Sequence, residues 1–486
     1  MSGSKSSLCD SSGPCGRPLL AAAPRIPIKI LAVCDSPTVL TGFARVARNI
    51  LGRWRFYEEG EPVDCWAINF DGWGYDQVGY RLFPGGKHDW NSPGKLNQLL
   101  KLIADGQYTH LWMLMDPDAL SVHGFPQKLR QVCKVKNVRV MLYFPVDAPP
   151  EWEWLSILDA VDVAVTYAEF GRNEIRKALG KSLYPIEVVP HGVDDCFKPL
   201  SVEDRAKARC IELILRALPG GETPPGEGNR TMKGTPRGDT RPTGGERAAR
   251  SIHFVEEDTF LMLNVNKNEW RKDPLRSLEI LAGLRKLGVP AKLILRMDPM
   301  SAMGGVHLDM AAQQLGLTYG KEWCHIGPVN DEAMAALYNA ADLYLTTSLG
   351  EGWGLGVTEA MACHCPVAMP KHTSLAEIGE GSQVIWLPRE EGFVCGADTR
   401  LRRRVCLAGA VEHIFQAYGL RCGHGVRVAP AAGAFKSWDW VAERLFELLV
   451  GAERSDIAGH SDVPVGGSPT GTGGSPVLPG EVLCAS

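Results

Sequence analysis

Apolar runs alternate with amphipathic stretches along most of the chain. Near-continuous apolar runs begin at Lys29 (KILAVCD), Val63 (VDCWAINF), His110 (HLWMLMD), Arg139 (RVMLYFPVD), Val161 (VDVAVTYA) and Ile186 (IEVVPHGV). Unbroken apolar runs of this length predict strands covered on both faces, as in a parallel sheet. Between them, TGFARVARNILGRW and GRNEIRKAL carry apolar residues at helical spacing. The scheme then repeats. Strands are predicted from Thr259 (TFLMLNVNKN), Ala291 (AKLILRMD), Ala341 (ADLYLTTS), Pro366 (PVAMP) and Gln383 (QVIWLP), with helices in DPLRSLEILAGLRKLG, DEAMAALYNA and LGVTEAMAC. Strand and helix alternating in two successive blocks predict two parallel α/β sheets. Ligands of such sheets sit at the carboxyl ends of the strands, so chemistry is sought just after each apolar run.

Three segments lack the apolar side chains that offset the entropy of ordering a backbone. They are residues 1–26, the stretch Pro219 to Arg250, and the Gly/Ser/Pro-rich tail from about residue 451. The predicted organisation is a first domain over 27–200, a linker with a low-complexity insertion over 201–252, and a second domain over 253–450. Helical spacing of Trp440, Val441, Leu445, Leu448 and Leu449 adds a final structural helix in SWDWVAERLFELLV.

Composition narrows the picture by exclusion. The chain has 486 residues, 45% of them hydrophobic, enough for two cores, and a net charge of -4 that gives no sign of a nucleic-acid partner. The short run Arg400 to Arg404 reads as a solvated face. The 14 cysteines suggest neither a disulfide framework nor paired zinc hooks. Cys363-His364-Cys365 reads as small buried residues after a helix. No run approaches the ~18 apolar residues of a membrane span. PLLAAAP near the N-terminus is too short for a signal peptide, so a cytoplasmic, reduced compartment is the default expectation.

The richest segment is LYLTTSLGEGWGLGVTEAMAC. A strand runs into a loop containing Gly350, Gly352, Gly354 and Gly356, and a helix follows. The glycines let backbone approach a ligand, and the new helix offers unpaired N–H groups to an anionic phosphate at Gly354, Leu355 and Gly356. Glu351 in the loop and Glu359 in the helix are carboxylates able to hold vicinal diols of a sugar or ribose. A second segment, LNVNKNEWRKDP, places Lys267, Arg271 and Lys272 after another strand, where cations neutralise a diphosphate.

Glu351-x7-Glu359 within SLGEGWGLGVTEAMAC resembles the signature of retaining GT-B glycosyltransferases of family 4. The resemblance implies two Rossmann-like parallel-sheet domains facing across a cleft, with the donor mostly on the second. It implies that Glu351 contacts the transferred sugar and Glu359 the ribose. Lys267 and Lys272 match the family's Arg and Lys on the donor diphosphate, with Lys replacing Arg at the first position and Arg271 able to share its role. Gly42, in DSPTVLTGFAR, matches the loop whose backbone meets donor phosphates and acceptor. Asp147 stands where many members have a His beside the transferred sugar. It either stabilises oxocarbenium charge or caps the turn before Pro149 and Pro150. His191, in HGVD, is either a catalytic side chain or a structural turn before the hinge. Glu169 reads first as a helix cap. The last helix is implied to pack back across the first domain.

The resulting expectation is metal-independent, retaining transfer from a nucleotide-diphosphate sugar, a co-substrate, to the hydroxyl of a glycan, lipid or small molecule, with no cofactor. Asp116-Pro117-Asp118 after a strand is also the kind of pair that holds Mn2+ or Mg2+ in GT-A enzymes. It lies in the other block from the basic loop and the two glutamates, so it ranks second, with Asp116 still expected at the cleft. A sugar-nucleotide epimerase and a non-catalytic nucleotide-sugar-binding protein remain as alternatives.

Overall fold

The computed structural model describes residues 27–57, 62–70, 72, 78–209, 255–256, 258–298, 305–420 and 427–451. The segments expected not to pack, 1–26, 219–250 and the tail from 452, lie outside the described residues.

The first sheet comprises β1 (Ile30–Asp35), β2 (Val63–Ile68), β3 (Arg81–Pro84), β4 (His110–Leu114), β5 (Arg139–Phe144), β6 (Val163–Thr166) and β7 (Glu187–Val188). After the short β8 (Gly192–Val193), a second sheet comprises β9 (Phe260–Val265), β10 (Ala291–Arg296), β11 (Trp323–Ile326), β12 (Leu343–Leu345), β13 (Val367–Pro370) and β14 (Ile385–Leu387). The spatial orders are β3-β2-β1-β4-β5-β6-β7 and β11-β10-β9-β12-β13-β14. All neighbours within these two sheets are parallel. Strand order reverses between β1 and β4, and again between β9 and β12, which opens a crevice at the carboxyl end of each sheet.

Period-2 alternation explains the layering. Leu31 and Val33 of β1 enter one core, whereas Ile30, Ala32 and Cys34 enter the core on the other face. In β9, Leu261 and Leu263 face one layer and Met262 the other. Both faces are covered, hence the unbroken apolar runs. The strands without such runs, β3 and β11, are edge strands and keep half-buried positions.

An antiparallel hairpin, β15 (Arg389–Val394) and β16 (Leu401–Val405), follows β14. The chain then returns to the first domain. Strand β17 (Lys436–Ser437) pairs in parallel with β8, and the helix Trp438–Val450 follows it. That helix buries Trp438, Val441, Ala442, Leu445, Phe446 and Leu449 in the first domain's core, a one-sided stripe at spacings of three and four. The indole of Trp54 donates to the Ala442 carbonyl at 2.8 Å and anchors the crossing.

Candidate functional site

The two carboxyl ends face each other across a cavity of about 700 Å3 lined by both domains. Gly42, Asp147, Lys267, Arg271, Lys272, Glu351, Gly354, Leu355, Gly356 and Glu359 all line it. Residues more than 300 positions apart in the chain thus share one cleft.

On the second-domain wall, β9 ends in a loop whose last turn, Trp270–Lys272, presents two cations. Both oxygens of Glu351 lie 2.6 Å from the Lys272 ammonium. The Arg271 guanidinium donates to the Gly350 carbonyl at 2.6 Å and stands 3.6 Å from Glu351. Burial alone would raise the Glu351 carboxyl, but Lys272 and Arg271 outweigh it and hold Glu351 below the usual carboxylate range. Lys267 is more exposed and pairs with Glu269 at 3.6 Å, both at the cleft.

The helix Leu355–Ala362 begins at the cleft with Gly354 as N-cap, at φ 114, and no side chain caps it. That φ favours glycine. The uncapped N–H groups at the cleft wall are suited to an anion. One turn further in, Glu359 accepts from the Tyr338 hydroxyl at 2.8 Å and lies 2.8 Å from the Arg45 guanidinium. Burial pushes the Glu359 carboxyl up to about 7 against the pull of Arg45.

Arg45 comes from the first-domain helix Gly42–Trp54, whose N-cap Thr41 accepts from the Ala44 N–H. It reaches across to Glu359 and to Asp331 at 3.3 Å, holds Asp194 at 2.8 Å, and stacks on Phe197 with 5.0 Å to the ring centroid. The structure makes Arg45 a cross-cleft strut.

Four expectations change. Asp147 neither stands free beside a sugar nor caps its turn. Its carboxylate is gripped by Arg271 at 3.0 Å, Arg400 at 2.8 Å and Arg402 at 3.3 Å. Burial would raise this carboxyl, and the three guanidiniums together hold it below its usual range. The run Arg400 to Arg404 is correspondingly no solvated face. Arg402 is buried, Arg400 stacks on Trp154 at 4.1 Å, and Arg404 holds Asp273 at 2.6 Å. Glu169 pairs with Arg172 instead of capping its helix. The cap comes from the other domain, where Glu377 accepts from the N–H groups of Glu169 and Phe170 at 2.8 and 2.5 Å. Finally, Gly350 and Gly352 admit protein rather than ligand. A Cβ on Gly350 would lie 2.0 Å from the Asp147 carbonyl oxygen, and one on Gly352 would lie 2.5 Å from Pro145.

His191 is buried at the cleft, its Nδ1 2.8 Å from the Tyr143 hydroxyl. Asp116, the N-cap of the one-turn helix Pro117–Leu120, lines the cleft as expected. Cys363 and Cys365 are buried free thiols flanking His364, a residue at φ 57. Among the described residues, no group of three or more His, Cys, Asp or Glu has the geometry to hold a metal ion, and no helix is long and apolar enough to cross a membrane.

Arg400, Arg402 and Glu377 escaped the sequence reading. A usable signal existed for the hairpin: in LRRRV read as a strand, Arg402 and Arg404 share a face while Arg403 points away. Nothing local marks Glu377, because its partners lie 207 and 208 positions away.

Two parallel-sheet α/β domains with a cleft between their carboxyl ends, and a last helix returning to the first, define the GT-B architecture. Residues 246–383, which contain both the basic loop and the Gly350 to Glu359 segment, match the family model Glycosyl transferases group 1. Solved structures share the fold. HepE of Anabaena, determined in complex with UDP and glucose, has 13% identity and a TM-score of 0.57, with 87% of this chain and 100% of that one covered. Sucrose-phosphate synthase of Thermosynechococcus elongatus has 14% identity and a TM-score of 0.60, covering 87% and 98%. WaaG, a glycosyltransferase involved in lipopolysaccharide biosynthesis, has 14% identity and a TM-score of 0.51, covering 87% and 100%. No curated protein matches the sequence.

Proposed function

We propose that the cleft binds a nucleoside-diphosphate sugar and transfers the sugar to an acceptor hydroxyl, with retention of anomeric configuration and without a metal. The observation that carries this reading is the convergence of Lys272, Arg271, Glu351, Glu359 and an uncapped helix N-terminus on one interdomain cavity. The family match over 246–383 and the neighbours' fold support it. A UDP-sugar is the first donor to test, since HepE was solved with UDP-glucose.

In this reading the diphosphate lies against Lys272, Lys267 and the N–H groups at Leu355 and Gly356. Glu351 receives the sugar hydroxyls and Glu359 the ribose, from which Arg45 withdraws. The bond from the anomeric carbon to the phosphate oxygen breaks and its electron pair leaves with the diphosphate. The acceptor oxygen bonds the same face, and its proton passes to the departing phosphate. Fixed cations at the leaving group lower this barrier because they need no reorganisation. Asp147 acts here by positioning: it holds Arg271 beside Glu351 while its own charge is spent on three guanidiniums.

A thermal-shift screen against nucleotide sugars tests the proposal, since a donor that binds only the folded chain raises its melting temperature. Lys272→Ala and Glu359→Ala are expected to abolish the shift. Wild-type shifts in both variants would overturn the assignment.

A further inference from the structure

The first-domain wall of the cavity carries three polar groups that no protein atom satisfies. Asp116 follows β4 and opens into the cleft, and its carboxylate has no hydrogen-bond or ion-pair partner among the described residues. Tyr167 follows β6 and is 2% exposed, and its buried hydroxyl is also without a partner. Its ring packs on His191 at 4.1 Å between centroids. Asp116 is close enough for its charge to add to the burial that raises the Tyr167 hydroxyl's pKa.

Proton bookkeeping fixes the third group. The Tyr143 hydroxyl lies 2.9 Å from the Val189 carbonyl and 2.8 Å from His191 Nδ1. A carbonyl only accepts, so the single hydroxyl proton of Tyr143 goes to Val189, and Tyr143 accepts from Nδ1–H of His191. Burial pushes His191 down to about 3, so the ring is neutral. Its Nε2 is therefore a bare lone pair, with no partner among the described residues.

From these groups we infer that Asp116, Tyr167 and His191 form the acceptor subsite, and that it takes an uncharged saccharide in preference to a phosphorylated or carboxylated one. Two lone-pair acceptors and one hydroxyl call for a ligand rich in O–H donors. Desolvation in the cleft pushes the Asp116 carboxyl up to about 7, so near neutral pH it meets a ligand hydroxyl as acceptor or donor and offers no cation to an anionic group. The first-domain cations that line the cavity are committed elsewhere: Arg45 to Asp194, Asp331 and Glu359, and Arg48 to the carbonyls of Pro37 and Val39. Pro145 and Trp353 complete the wall with apolar surface, Trp353 lying 6.1 Å from His191 between ring centroids. Such surface accepts the C–H face of a pyranose. The word acceptor rests on the transferase reading above, whereas the saccharide preference does not.

The test is an array of neutral, phosphorylated and uronic-acid saccharides probed with the full chain, alone and with UDP, GDP or ADP. Nucleotide thermal shifts are recorded on the same samples. Neutral saccharides are expected to bind. Asp116→Ala and Tyr167→Phe are each expected to weaken that binding at least about tenfold while keeping the wild-type melting temperature and nucleotide shift. Preference for charged saccharides, binding unchanged in both variants, or no saccharide bound at all would overturn the inference. A wild-type chain that binds saccharides and shows no nucleotide shift would instead sink the donor reading and leave the subsite standing.

Discussion

Glu351→Ala isolates one half of the buried pair at the centre of the cleft. The side chains of Lys272 and Glu351 are 13% and 10% exposed, with 2.6 Å between Nζ and Oε1. Removing the carboxylate strands an ammonium in a site built for a pair. Breaking a buried pair from one side costs roughly 3–5 kcal/mol, most of it the desolvation of the charge left behind. For a folding unit of domain size, each kcal/mol moves the melting temperature by roughly 2–4 °C, so the variant should melt roughly 6–20 °C lower. Lys272→Met leaves Glu351 with Arg271 at 3.6 Å and should cost less. The double variant Glu351→Ala/Lys272→Met leaves neither charge unpaired. It should be more stable than Glu351→Ala alone, with a coupling energy of roughly 1–3 kcal/mol. Calorimetric melting of all four proteins reads these differences. If the single losses simply add, the pair is not coupled and the picture of a desolvated ammonium held by Glu351 is wrong. Melting with UDP supplies a second readout, because a freed Lys272 should hold the diphosphate at least as well as in wild type.

Three further outcomes follow from the geometry. Asp147, held below its usual range, contributes stability that is complete above the ordinary carboxylate pKa of about 4 and is lost as pH falls below it. Asp147→Asn should therefore show a flatter melting temperature between pH 5 and 3 than wild type, and an unchanged acid slope would refute the three-arginine clamp. Gly350→Ala drives a Cβ to 2.0 Å from the Asp147 backbone, so the domains should separate there. Small-angle scattering should give a larger radius of gyration, and identical curves would count against this contact. Trp438→Ala empties a fully buried site against the first domain and should cost roughly 3–5 kcal/mol. Chemical denaturation giving less than about 1 kcal/mol would mean the last helix is not part of that core.

The central strands and most of the cleft were legible because their physics is local. A parallel strand covered on both faces must be apolar throughout, so HLWML and RVMLYF announce themselves, and the residues just beyond them fall at the cleft. Edge strands such as β3 and β11 have no such obligation and were passed over. Glu351 and Glu359 were readable from their spacing around four glycines. What those glycines do was not, because the atoms that would meet their Cβ groups belong to Asp147, Pro145 and Tyr344. The same limit explains Asp147. Its type and place were visible, but its three partners, Arg271, Arg400 and Arg402, come from the other domain, and pairings across 253 or 255 positions leave no periodic trace. Charge in the sequence said only that Arg400 to Arg404 was basic. Whether a basic run meets water or carboxylates is decided by tertiary packing.

The seam between Trp54 and Trp438 has a consequence for how the chain is made. The first domain's own strands and helices are complete by Val193, yet one layer of its core arrives only with residues 438–450. At about 5–20 residues per second, a ribosome needs roughly ten to fifty seconds for the intervening length. Throughout that interval Val46, Ile50 and Trp54 pack on the first sheet, with Trp54 against Trp112, but lack the layer supplied by the last helix. The nascent chain thus carries an incompletely covered hydrophobic face, and the first domain cannot close its core until residues 438–450 have been made.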